Sequence, residues 1–429
     1  MKRSRSLAGL GVLLFPLITS CGERPATEET PAAEDEAPLS AVPEAQAAYD
    51  ESLELWGTDN RASVAKAYEA VALDPEFVAA YGLLSSRYAW IHQNWDRSDS
   101  IAHQALAHAQ KATELDPDSW DALIAMGDFH YRIEKDYPSA LEYYSRGAQL
   151  FPEGTSFLRM QAHVARRMGD WDGALELLLE AEEKGSTLGG IQAIAENHEY
   201  NRRWDQATEY FNLHAERNPE STFGPSRAAW VAFEKSGDTG PIRAFLETRP
   251  TGWSLARWNM EMLDRDFEAA LAAVDASTTE VYNTAKALTP RSSRRAIALR
   301  RLGREGEAVA AFEEARATME AMLPELDHDP RVHMALGEIL AELGQRAEAI
   351  REGERAVELM PPERDAILGP NSVAGLATIY ALLGEAEPAV ERLEYLLSVP
   401  SDIHEHGLRM APVWDKIRDH DAFQALLSG

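Results

Sequence analysis

The feature that most constrains this chain is internal repetition. "GDWDGALELLLEAEEKG" from Gly169, "RRWDQATEYFNLHAERNP" from Arg202, "GREGEAVAAFEEA" from Gly303, "GQRAEAIREGERAVELMP" from Gly344 and "GEAEPAVERLEYLL" from Gly384 each carry an alanine five residues after the first letter. These alanines are Ala174, Ala207, Ala308, Ala349 and Ala389; with Ala105 and Ala140 the early steps are 35, 34 and 33 residues and the later ones 41 and 40. Apolar residues recur three and four apart throughout, the spacing of helices, and no strand-like alternation competes. "ALDP", "ELDP" and "LFP", ending at Pro75, Pro117 and Pro152, close the early units, because proline cannot continue a helix. A helical hairpin of this size cannot bury its own apolar face, so such units must stack.

The pattern resembles the tetratricopeptide repeat. Arg331–Pro361 is the best single match, with Gly337 at the small position of the first helix, Gly344 at the turn, Ala349 and Ala356 at the small positions of the second helix, and Pro361 at the stop. The unit from Trp120 fits through Gly127, Tyr137, Ala140, Tyr144 and Pro152. The resemblance implies an all-α solenoid, a right-handed superhelix of stacked helical hairpins with a concave side. About nine units are expected over residues 44–401, the middle ones degenerate: Ile242 stands where an alanine is expected, and the steps around Ala270 are uneven. The longer late steps point to extended second helices or insertions.

The last third is also similar to the C-terminal repeat region of bacterial multidomain signalling proteins, in which a kinase, adenylate cyclase or winged-helix domain comes first. Leu408, Arg409, Pro412, Trp414, Asp415, Arg418 and Phe423 match its closing phrase, while Ala411 and Lys416 depart from it. Residues 22–44 are too short for an effector domain, so what the resemblance implies is a binding role without an effector activity. Residues 402–429 read as a capping segment, with Trp414 and Phe423 covering the last apolar face.

The N-terminus carries a separate signal. Lys2, Arg3 and Arg5 precede the apolar run "LAGLGVLLFPLI", which is too short to span a bilayer, and Ile18, Thr19 and Ser20 lead to Cys21, the one cysteine among 429 residues. This resembles a lipoprotein signal: residues 1–20 are expected to be removed and Cys21 lipidated. Acyl chains contribute about 0.8 kcal/mol per buried methylene and would anchor the chain to a membrane. Residues 21–43 then form a tether; the stretch 22–44 has four prolines, seven acidic residues and no aromatic, too polar to offset its chain entropy. Gly22 in place of an aspartate after the cysteine implies, by the same resemblance, the outer membrane facing the periplasm.

Charge narrows the partners. The formal net charge is −29, and loss of the three N-terminal cations makes it −32. Such a chain lacks the basic face that phosphate backbones need, so nucleic acid is not an expected partner. No Gly-rich phosphate loop, nucleophile elbow or HExxH helix occurs, and no enzyme activity or cofactor is expected. His404 and His406 sit two apart in "DIHEHG" without an evident third ligand, so no metal site is expected.

The remaining candidate is the concave face. Groove positions transferred from the resemblance fall on Ser156, Arg159, His163, Arg166 and Arg167 in one unit. The preceding unit offers Asp121, Ile124, Asp128, Tyr131 and Arg132, and the following one Gln192, Glu196, Glu199 and Tyr200. Arg159, His163, Arg166 and Arg167 form a basic strip in an acidic chain. With Tyr131, Arg132, Gln192 and Tyr200 it suits a carboxylate or acidic peptide of a protein partner. The competing reading is that these cations pair with neighbouring acidic residues. The functional expectation is a membrane-anchored scaffold that binds a protein or peptide in its groove; the alternative is a solute- or glycan-binding lipoprotein.

Overall fold

The computed structural model describes residues 39–185, 187–249 and 252–428; Cys21, the signal segment and nearly all of the tether lie outside these. The described chain is an all-α solenoid of the tetratricopeptide type, built of ten helical hairpins. The first five pair α1 (Pro43–Leu55) with α2 (Asn60–Leu73), α3 (Val78–Asn94) with α4 (Asp99–Leu115), α5 (Trp120–Asp128) with α6 (Tyr137–Leu150), α7 (Thr155–Arg167) with α8 (Trp171–Glu183), and α9 (Leu188–Tyr200) with α10 (Trp204–Arg217). The second five pair α11 (Phe223–Ser236) with α12 (Gly240–Glu247), α13 (Ser254–Leu263) with α14 (Phe267–Asp275), α15 (Arg291–Arg301) with α16 (Glu305–Leu326), α17 (Pro330–Glu342) with α18 (Arg346–Leu359), and α19 (Leu368–Leu383) with α20 (Ala386–Ser398). No described helix is long and apolar enough to cross a membrane.

The repeat has a direct physical meaning. Every repeat alanine, from Ala105 to Ala389, is 0% exposed, because at this position the second helix lies against its partner. Glycine does the same where contact is closest: a Cβ on Gly127 would stand 2.2 Å from the Tyr144 ring, and one on Gly337 2.6 Å from Ile379. The first letter of each repeat is the turn residue. Gly169, Gly303, Gly344 and Gly384 have φ between 74° and 85°, left-handed backbone that glycine takes without penalty.

Two departures from even repetition shape the molecule. The 41-residue step comes from the 22-residue α16. The 40-residue step comes from a loop between α18 and α19 that carries Asp365. One feature corrects the expectation of helices alone: β1 (Val281–Asn283) and β2 (Leu288–Pro290) pair antiparallel between α14 and α15. Three-residue strands are too short for alternation to register in a sequence.

These insertions draw the row of hairpins round onto itself. Arg97, just after α3, reaches Asp329 at 3.0 Å, and Arg331 holds the same carboxylate at 2.6 Å. At the end of α7, Arg167 meets both oxygens of Asp365 at 3.2 Å, and the Tyr137 hydroxyl donates to Asp365 as well. The tip of the β-ribbon adds Lys286, bonded to Asp402 at 2.5 Å, while the Ala285 carbonyl accepts from Arg97. Arg202 donates to the carbonyls of Leu396, Val399 and Ile403. Arg202 stands at a turn position with φ 56°, a backbone that costs a non-glycine residue roughly 1–2 kcal/mol. The end of the row is sealed by α21 (Glu405–Met410), α22 (Asp421–Leu426) and the turn between them, with Trp414 and Phe423 buried against Leu393 and Leu396 of α20.

Asp329 and Asp365 are 1% and 0% exposed. Burial alone would push both carboxyls up. For Asp329 the Arg331 hydrogen bond and the Arg97 charge outweigh it, and for Asp365 the Arg167 charge, the Tyr137 hydroxyl and two backbone amides do so; both are held below the usual carboxylate range. A depressed folded pKa stabilises above the unfolded value, near 3.9, and that stability disappears as pH falls below it. Urea unfolding should therefore show stability falling below about pH 4. Asp365→Ala, which strands Arg167, should cost about 3–5 kcal/mol at pH 7. Arg202→Gly relaxes its turn but should raise amide exchange across residues 396–403, measured by hydrogen–deuterium exchange.

Candidate binding trough

The first helices of the first five hairpins line up along the inner face. Between them lies a trough of about 450 Å³. α1 contributes Tyr49 and Leu53, with Trp56 directly after it; α3 contributes Arg87 and Trp90; α5 contributes Trp120 and Asp121; α7 contributes Arg159 and His163; α9 contributes Gln192 and Glu196. Arg132, from the π-helical turn Phe129–Glu134 that continues α5, completes the wall. Each group arrives from a different repeat, so the site exists only when the hairpins stack.

The walls are aromatic and the floor is charged. Trp90 packs edge-on against Trp56 with ring centroids 5.3 Å apart, and the Arg87 guanidinium lies 3.9 Å over the Trp56 ring. Arg132 donates to Gln93 Oε1 at 2.6 Å and lies 3.3 Å from Asp128. His163 Nδ1 accepts from Arg166 at 2.6 Å. That bond requires a neutral imidazole, and burial together with the charges of Arg166, Arg159, Arg132 and Arg167 pushes its pKa well down. Arg166 also reaches Glu196 at 3.3 Å, and Gln192 donates to the same carboxylate at 2.8 Å. Burial pushes the Asp121 carboxyl up to about 6.

The residues singled out from sequence fall into two groups. Arg132, Arg159, His163 and Gln192 face the trough, with Arg166 beneath them as the partner of His163 and Glu196. Tyr131, Arg167 and Tyr200 stand instead where the two halves meet. The Tyr131 hydroxyl accepts from Arg167 Nε at 3.2 Å, Arg167 grips Asp365, and Lys286 Nζ sits 4.7 Å over the Tyr200 ring. The sequence reading missed Trp56, Arg87, Trp90 and Trp120. A signal was present, since the groove register of Ser156, Arg159 and Arg166, set back from Ala174 to Ala105, lands on Arg87, Trp90 and Arg97. His404 and His406 belong to the seal of the row: His404 caps α21 by accepting from Gly407, and His406 lies against Gly237. A different trio, His130, Glu134 and Asp136, brings ligand-type atoms together, but Asp136 already holds Ser139 at the start of α6.

No family model matches this chain, and no curated protein matches it. Among solved structures it is similar to the human IFIT1 dimer with m7Gppp-AAAA (16% identity, 73% of this chain and 71% of that one, TM-score 0.44). It is also similar to Pseudomonas aeruginosa PilF (17%, 52% and 96%, 0.36) and to yeast Tom70 (16%, 89% and 90%, 0.33). These likenesses are too remote to carry residue roles, which come from this chain's own geometry.

Above pH 6 the Asp121 charge opposes an anionic guest; below it the neutral acid does not. An arylsulfonate probe, whose own charge is fixed, should therefore bind more tightly at pH 5.5 than at pH 7.5. Asp121→Asn should remove that dependence, read by fluorescence titration.

Proposed function

We propose that this protein is a non-enzymatic, membrane-anchored helical-repeat scaffold whose N-terminal trough takes an acidic, aromatic-bearing segment of a protein partner. The observation that carries this reading is the meeting of Arg132, Arg159 and Gln192 with Trp90 and Trp120 on one concave wall. Arginine edges suit carboxylates, and tryptophan faces suit the apolar parts of the same segment. The trough is open along successive first helices, so an extended or helical peptide can lie across several repeats. A net charge of −29 favours a protein guest over a nucleic acid.

The anchor is the lipidated Cys21, and the tether of residues 21–43 holds the solenoid clear of the bilayer, at the outer membrane on the periplasmic side. The similarity of the last third to repeat regions of signalling proteins supports a binding role.

Two measurements test the parts separately. Cys21→Ala should move the protein from the membrane fraction to the soluble one; persistence in the membrane fraction removes the anchor. Chemical crosslinking in membranes, followed by mass spectrometry, should join a partner segment to residues around Arg159. Arg159→Glu should lower that yield at least tenfold with an unchanged circular-dichroism spectrum, and equal yield from the variant would sink the trough as the site.

A further inference from the structure

The second half of the row has its own cavity, of about 380 Å³, lined by the first helices α11, α13, α15, α17 and α19 and by β2. Its volume falls in the usual range for small-molecule sites, ~300–1,000 Å³. The walls are mainly apolar: Trp230, Trp258, Met262, Ile297, Ile339 and Leu382 face it.

The arginines of α15 make the cavity informative. "RSSRRAIALRR" carries five of them. Arg291 pairs with Glu280 at 3.0 Å, Arg295 with Asp275 at 3.0 Å, Arg300 with Glu342 at 2.6 Å, and Arg301 with Asp415 at 2.8 Å. Arg294 and Arg301 both stand in the cavity wall, and Arg294 alone of the five has no carboxylate within ion-pair distance among the described residues. Its guanidinium lies 4.6 Å over the Trp258 ring, and its buried Nε has no hydrogen-bond partner. Burying a cation without a carboxylate is unfavourable, and four neighbours on the same helix avoid it. Stacking on Trp258 engages only the face of the guanidinium and leaves its edge to hydrogen-bond.

We propose that this cavity binds a small monocarboxylic acid with an apolar body, its carboxylate on the edge of Arg294 and its hydrocarbon against Trp258, Ile297 and Leu382. Glu338 lines the same cavity beyond ion-pair reach of Arg294, and burial pushes its carboxyl up against the opposing pull of the Arg294 charge. The site is independent of the N-terminal trough, and neither reading depends on the other.

Isothermal titration of the wild-type protein with octanoate and, separately, with octylamine tests the assignment. Octanoate should bind saturably and octylamine at least tenfold more weakly. A charge-assisted bond to arginine should make Arg294→Gln bind octanoate about 10-fold to 100-fold more weakly. An unchanged circular-dichroism spectrum shows that this variant is folded. Failure of octanoate to saturate, equal or tighter binding of octylamine, or undiminished binding by folded Arg294→Gln overturns the proposal. The ligand comparison decides the matter by itself if the variant does not fold.

Discussion

Two carboxylates buried between the halves of the chain, Asp329 and Asp365, hold this molecule in its shape. Each is reached by an arginine from the opposite half, Arg97 and Arg167. A row of hairpins by itself needs only neighbour-to-neighbour packing and would stay open. Here an arginine and an aspartate meet across 232 and 198 residues of sequence. Stranding either partner of such a pair leaves a buried, uncompensated charge, whereas replacing both with apolar groups would cost little. The pairs are thus better understood as fixing which surfaces meet than as a large net source of stability.

The rest of the closure follows the same logic. Glycine occupies the left-handed turn in most repeats; among the non-glycine residues that take it instead are Arg202 and Arg265, with φ 56° and 60°. Both are used across the molecule: Arg202 for the carbonyls of residues 396–403, and Arg265 for Asp415 at 2.8 Å. Asp415 is also held by Arg301 and Arg418, which ties the capping segment to the second half. Backbone strain at two turns is offset by contacts that only a long cationic side chain can make. Closure also decides the fate of the inner surface. Groups at the ends of α7 and α9 become internal contacts, while the middles of the first helices remain open as two cavities.

How much of this could be read beforehand depends on the range of the interaction. The hairpins were legible because alanine, glycine and proline act within one repeat: an alanine that must be fully buried recurs wherever two helices cross. The ribbon at 281–290 was not legible, since three-residue strands carry no period. Within the basic strip, Arg159 and His163 were placed in the trough by register alone, and the same register two units earlier pointed to Arg87 and Trp90. Arg167 has the same register signal as Arg159, yet it meets Asp365, which lies in a loop with no repeat pattern.

By itself the sequence determined an all-helical stack, its turn residues and its sealing C-terminal segment, because these follow from contacts between residues close along the chain. The tertiary structure alone decided that the stack closes on itself, which arginines are consumed in closing it, and which one, Arg294, is left facing a cavity. Those outcomes rest on pairings between side chains hundreds of residues apart, and no local pattern records them.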